Sequence, residues 1–183
     1  MGDLILVRHG ETDWSLAGKH TGRTDVSLTA HGEAAAAALA PVLARRHIVA
    51  VFTSPARRAI TTAALAGLAE AELDPDLWEW DYGGYEGLTT PQIQEQHPGW
   101  YLWRDGVIPG GADHPGETVQ EVGGRADRVL ARVMSRLTGG DGVLVPPRHL
   151  LGVLAARLLQ LAPPAGRLFR PETGAVSPLG DGP

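Results

Sequence analysis

LILVRHGETDW, residues Leu4–Trp14, sets four apolar residues in a row and then breaks at once into charged and flexible ones. An apolar run with no polar alternation suits a strand buried on both faces, as in a parallel sheet. GVLVPPRHLLGVLAAR, Gly142–Arg157, has the same build, an apolar strand delivering the chain into an apolar helix. The two exits differ in what they carry. The first sets Arg8 and His9 at the strand's mouth, whereas the second sets Pro146, Pro147 and Arg148 there, with His149 only afterwards.

Around these two stretches, Val49–Thr53 and Gly174–Ser177 read as further strands beside Leu4–Val7 and Val143–Val145. Long helical patterns lie between them. An alanine-rich helix opens at Leu28-Thr29 and runs to about Arg46, bent or split at Pro41. Ser54-Pro55 marks a second helix, with serine as N-cap and proline in the first turn. Thr90-Pro91 marks a shorter one ending near His97-Pro98. A helix over about Glu117–Leu137 is weakened in its middle by Gly123-Gly124, and LLGVLAARLLQL is helical after the prolines. Strands alternating with helices predict a three-layer α/β/α fold with a largely parallel central sheet, in one domain over residues 1–183.

The composition narrows function. Hydrophobic content of 43% and charged content of 20% suit a soluble globular chain, and the absence of cysteine excludes thiolate nucleophiles, thiolate metal sites and disulfides. A net charge of -5 disfavours nucleic acid or an anionic membrane as partner. A local arginine cluster can still hold a small anion. The start, MGDLILVRHG, has neither the basic region of a leader nor the length of a membrane span, so a cytoplasmic protein is expected.

In open α/β sheets, ligands bind beyond the carboxyl ends of the strands. A neutral imidazole at such an exit can attack phosphorus directly, so His9 is a candidate nucleophile. Arg8 and Arg58 are candidates to hold the transferring oxygens. Alone, Arg8-His9-Gly10 fits better a histidine that closes a strand by bonding to backbone.

The blocks RHGETDWS, HTGRTDVSLTAHG, SPARRAITTA and EWDYGGYEGLT follow in order, and together they resemble the histidine phosphatase superfamily, the phosphoglycerate-mutase-like proteins. The resemblance covers nearly the whole chain. It implies a phosphohistidine mechanism on His9 with no metal and no cofactor, and Arg8 and Arg58 in the phosphate pocket. It places Thr21 and Gly22 against substrate or phosphate. Ser15 stands where many members have asparagine. Glu79 corresponds to the acid that protonates the leaving oxygen and then activates water, a role that needs a tuned carboxyl. Tyr82 corresponds to a residue shaping the substrate pocket.

Other residues take plainer readings. Arg57 reads as a solvated helix residue and Asp81 as structural. Glu11 is open between a loop partner and a site residue. His20, His31, His47, His97 and His114 read as surface or capping residues. Trp78, Trp80, Tyr85, Trp100, Tyr101 and Trp103 could wall a pocket or simply pack.

The resemblance fails at one place. Family members carry a second histidine after the later strand, in a Val-(Ala/Ser)-His-Gly-His pattern. Here Val145-Pro146-Pro147-Arg148-His149 replaces it, with Pro147 on the catalytic position and His149 on the last, non-catalytic one. Proline has no side-chain donor and no backbone N–H. Losing one preorganised donor typically costs about 2.7–4 kcal/mol in the barrier, roughly 10²–10³ in rate. Arg148 or His149 could take over part of the task. Paired frameshifts in a C-rich run would also convert Val-Pro-His-Gly-His codons into these five. The tail, TGAVSPLGDGP, departs too, since Pro178 is expected to interrupt a final strand.

The expected function is hydrolysis of a small phosphomonoester, a phosphorylated metabolite, slowed by Pro147. The short chain and the EWDYGGYEGLTTPQI block favour the phosphatase branch, resembling broad acid phosphatases. The alternatives are a catalytically dead phosphate-ligand binder and a phosphoglycerate-mutase-type phosphomutase.

Overall fold

Along the first strand, β1 (Leu4–Val7), all four side chains are buried, and they alternate between two cores. Leu4 and Leu6 join one apolar cluster, Ile5 and Val7 the other. That division requires helices on both faces of the sheet. The computed structural model describes residues 2–170, 172–174 and 176–179, the last span through its backbone.

The helices in chain order are α1 (Asp13–Leu16), α2 (Ala30–Ala37), α3 (Ala40–Leu43), α4 (Arg57–Leu65), α5 (Thr90–Gln96), α6 (Leu102–Asp105), α7 (Val119–Met134) and α8 (Arg148–Leu158). The remaining strands are β2 (Ile48–Thr53), β3 (Glu72–Leu73), β4 (Asp141–Val145) and β5 (Val176–Leu179). The sheet runs β3-β2-β4-β1-β5, parallel except for β5, which pairs antiparallel with β1. One face packs on α7 and α8 through Val122, Val129, Val133, Leu150 and Leu154. The other packs on α3 and α4 through Leu43, Ala59 and Ala63. This is the three-layer α/β/α arrangement expected from the sequence. It sets the carboxyl ends of β1, β2 and β4 along one edge.

Pro41 falls in the first turn of α3 and separates it from α2, so the alanine-rich pattern is split as expected. Gly123 and Gly124 do not break α7. A Cβ on Gly123 would lie 2.4 Å from Cγ of Pro163, so glycine there serves close packing rather than a helix break.

Three boundaries depart from expectation. Ser54 does not cap α4: the helix starts at Arg57 behind Ala56, and the Ser54 hydroxyl instead accepts from the Ala56 N–H. Thr89, not Thr90, caps α5, in a reciprocal capping box with Gln92. Pro178 does not interrupt β5, where it sits opposite Ile5. On an edge strand its missing N–H can face away from the sheet. Neither the short strand β3 nor the 3-10 turn at Pro163–Leu168 is foreshadowed by the sequence pattern.

Candidate active site

At the exit of β1, His9 is 5% exposed, and a short chain of polar contacts fixes it. Its Nδ1–H donates to Gly10 O at 2.7 Å, since a carbonyl can only accept. The Gly10 N–H donates to Thr62 Oγ1, whose hydroxyl donates to Arg58 O. Gly10 must be glycine because a Cβ would approach Gly32 O to 2.6 Å. With Nδ1 occupied, Nε2 is the ring nitrogen left for chemistry. Burial, and next the Arg58 guanidinium, lower the His9 pKa to about 3, so the ring is neutral and its lone pair free at ordinary pH.

His9 lines a cavity of about 250 Å³ together with Arg8, Ser15, Thr21, Glu79, Tyr82, Arg148 and His149. These are residues that the sequence singled out. Burial, then the neighbouring Arg148 charge, lower the Arg8 pKa to about 10, which leaves it cationic at neutral pH. Ser15 spends its hydroxyl locally, bridging the N–H and carbonyl of Thr12 in a capping box for α1. The Thr21 hydroxyl donates to Lys19 O.

Arg58 and Gly22 do not line this cavity. Arg58 is fully buried in α4 and donates to Thr24 O, Thr21 O and Gly22 O, so it holds the 21–24 loop in place. Its Nε is buried with no hydrogen-bond partner among the described residues. Gly22 donates its N–H to the Glu86 carboxylate, and a Cβ there would crowd that carboxylate at 2.6 Å.

At the exit of β4, Pro146 and Pro147 are buried. Pro147 occupies the N-cap position of α8 and supplies no side-chain acceptor for the first amides. Glu79 supplies it from 70 residues away: the His149 N–H donates to Oε2 and the Leu150 N–H to Oε1, each at 2.9 Å. The Trp80 N–H adds a third contact to Oε1. A carboxylate is well matched to the positive end of a helix. Sequence separation hid this contact.

His149 Nδ1 and the Tyr82 hydroxyl share a hydrogen bond of 2.5 Å. Burial, then the Arg148 charge, hold the His149 ring well below its ordinary pKa, while burial, then the Glu79 charge, push the Tyr82 hydroxyl well above its own. Both are therefore neutral. His20 corrects its surface-or-capping reading: it is 7% exposed, lines the cavity, and stacks on His149 with ring centroids 6.3 Å apart. Its Nδ1–H donates to Leu88 O.

Trp100, Tyr101 and Trp103 line the cavity, whereas Trp78, Trp80 and Tyr85 do not. Arg57 is exposed and pairs with Asp25. Asp81 is buried, pairs with Arg23 and accepts from the Gly83 N–H, all structural tasks. Glu11 accepts from the Thr29 hydroxyl, a loop-to-helix contact. Lys19, Phe169, Arg167 and Arg170 also line the cavity and carried no signal in the sequence pattern. Among the described residues, no group of three or more His, Cys, Asp or Glu side chains could hold a metal ion, and no helix is long and apolar enough to cross a membrane.

A largely parallel α/β sheet with a buried neutral histidine and cations at its carboxyl edge is an arrangement suited to holding an anion. The family model for the histidine phosphatase superfamily (branch 1) matches residues 4–180, and the chain belongs to that superfamily. An acid phosphatase of Mycobacterium tuberculosis is 39% identical over 179 residues, covering 97% of this chain and 85% of that one. A probable phosphoglycerate mutase of Klebsiella pneumoniae is 31% identical, covering 97% and 84%. The solved structure of an open reading frame of Mycobacterium tuberculosis superposes with a TM-score of 0.90 at 38% identity, covering 99% of this chain and 92% of that one.

Proposed function

We propose that this chain hydrolyses a small phosphomonoester through a phosphohistidine on His9, and that Pro147 slows it. The observation that carries this reading is the tautomer: Nδ1–H is tied to Gly10 O, the ring is neutral, and Nε2 remains for the cavity. In the first step the Nε2 lone pair attacks phosphorus, the ester P–O bond breaks, and the leaving oxygen takes a proton from the Glu79 carboxyl. In the second, water attacks the phosphohistidine and gives its proton to Glu79. The P–N bond breaks, its electron pair returns to Nε2, and inorganic phosphate leaves. Arg8 offsets charge on the transferring oxygens, and Arg58 acts from behind, through the 21–24 loop and its own charge. Thr21 and Tyr82 shape the substrate side of the cavity.

The phosphatase relatives support hydrolysis, and the mutase relative keeps phosphoryl transfer to a second substrate as an alternative. A second observation favours a binder without turnover. Both Glu79 oxygens already accept from backbone amides, and Pro147 offers the phosphoryl group nothing.

Turnover of p-nitrophenyl phosphate by the parent and by His9→Ala separates these readings. Activity in the parent that falls to the uncatalysed background in His9→Ala is the expected result. Equal activity in both proteins sinks the phosphohistidine mechanism, and none in either leaves the binder.

A further inference from the structure

Glu79 reaches the first amides of α8 with its side chain, but its backbone lies in residues 78–82, a stretch with neither helix nor strand. Carbonyls there have no ladder to join, and a buried carbonyl needs a donor. Arg125, on α7 and 8% exposed, supplies it. Its Nη1 donates to Asp76 O at 2.7 Å and to Trp78 O at 2.8 Å, and its Nη2 donates to Glu79 O at 3.3 Å. Nε and Nη2 also donate to the two carboxylate oxygens of Glu117, each at 2.8 Å. All five N–H donors of the guanidinium are thereby used.

Glu117 closes the other side. Its Oε2 accepts from the Asp81 N–H, its own N–H donates to Asp81 O, and its carbonyl accepts from the Trp80 indole. The backbone on both sides of Glu79 is therefore tied to one ion pair. Neither Arg125 nor Glu117 lines the His9 cavity, so the pair acts from outside it. A buried ion pair gains little over an apolar filling of the same shape, which makes stability alone a weak reason for keeping one. Holding an irregular backbone in one geometry is a stronger reason. The two charges cancel, so the pair sets the position of Glu79 without adding net charge beside it.

We propose that Arg125 and Glu117 are a positioning pair that holds the Glu79 carboxyl at the His9 cavity. The consequence for turnover rests on the phosphatase reading, in which Glu79 gives the leaving oxygen its proton. A proton donor works only within hydrogen-bond reach of that oxygen, and a misplacement of about 1 Å costs about 10² in rate. Loosening the pair therefore penalises most the esters whose leaving oxygen is most basic.

The test uses the full-length chain with Arg125→Lys, which keeps the charge but not the fork of donors, and with Glu117→Gln, a milder change should the first not fold. Val129→Ala, a core change on the same helix outside these hydrogen bonds, is the reference for general loosening. Amide hydrogen exchange reads where the carboxyl sits. The His149 and Leu150 amides, which donate to Glu79, are expected to exchange at least about tenfold faster in the two clamp variants than in the parent. The Leu151 amide, bonded to Pro147 O within the helix, is the internal standard. Unchanged exchange in the folded variants overturns the proposal. The values of kcat/KM for phenyl phosphate and p-nitrophenyl phosphate then read the proton transfer, because phenolate is the more basic leaving group. A loss at least about fivefold larger on phenyl phosphate is expected in the clamp variants, against equal losses in Val129→Ala. Equal losses in the clamp variants overturn the part played in proton transfer. Turnover by the parent with unchanged exchange leaves the phosphatase reading intact and removes the pair. Faster exchange in variants of a parent that turns over neither ester removes that reading and keeps the pair as the holder of Glu79.

Discussion

The exits of β1 and β4 lie side by side in the sheet and have the same strand geometry, but they are completed in opposite ways. At the β1 exit the side chains are organised locally. His9, Gly10 and Thr62 form a relay ending at Arg58 O, and the chain's own glycine permits the close approach of Gly32. At the β4 exit the local residues are prolines, and the order comes from afar, through Glu79 on the first amides of α8 and Tyr82 on His149. One exit fixes the candidate nucleophile by local contacts; the other has its helix start satisfied from a distance. A helix start can therefore stay intact without a capping side chain of its own, provided another group satisfies the amides.

The largest way to sharpen this comparison is Pro147→His. If the β4 exit lacks only a donor, restoring an imidazole there raises kcat for p-nitrophenyl phosphate by about 10²–10³. A change of less than a few-fold means that Arg148 or His149 already stabilises the transferring charge. Glu79→Gln comes next and probes the long-range cap. The amide keeps one acceptor oxygen but turns a donor toward one of the amides now served by carboxylate. A loss of about 1–3 kcal/mol in urea-denaturation stability is expected, beside the loss of turnover. Loss of turnover with unchanged stability would remove the cap from this account.

Most of the architecture was legible because it is encoded within a few residues. Uniform apolar runs announced β1 and β4, Pro41 announced the break after α2, and the blocks around His9 and Glu79 pointed to residues that line one cavity. What stayed hidden depends on partners far along the chain. His20 looks like a loop histidine until Tyr82, Trp100 and His149 close around it. Ser54-Pro55 looks like a helix start, yet the helix begins at Arg57, after Ala56. No local pattern could say that Glu79 would cap α8, or that a 3-10 turn would carry Arg167 to the same cavity. Arg58 shows the converse: the motif set it in the phosphate pocket, while its geometry places it behind the loop rather than on the cavity wall.

Histidines at the two exits share one property that can be tested by pH. His9, buried, and His149, partly buried, are both neutral, with folded pKa values below the unfolded value near 6.5, about 3 for His9. Below pH 6.5 the unfolded chain takes up protons that the folded chain refuses, so stability falls as pH drops from 6.5 toward 3. For His9 alone the loss is about 2 kcal/mol at pH 5. Urea midpoints at pH 7 and pH 5 check it: His9→Gln should show a shallower decline than the parent. Identical declines would mean that the His9 ring is not held neutral, and the contrast between the exits would lose its electrostatic side.

The smallest effect concerns the hydroxyl that steadies the β4 exit. Tyr82→Phe keeps the ring packed against His20 and removes only the hydroxyl bonded to His149 Nδ1. Losing the hydroxyl leaves His149 Nδ1 without its hydrogen-bond partner. A stability loss of about 1 kcal/mol is expected, read as a lower thermal midpoint. The equivalent step at the β1 exit behaves differently, since there the acceptor is the Gly10 carbonyl, which no side-chain substitution can delete. If Tyr82→Phe leaves the midpoint unchanged while altering the KM for a phosphomonoester, then the tyrosine hydroxyl serves the substrate and His149 is held by its ring contacts alone.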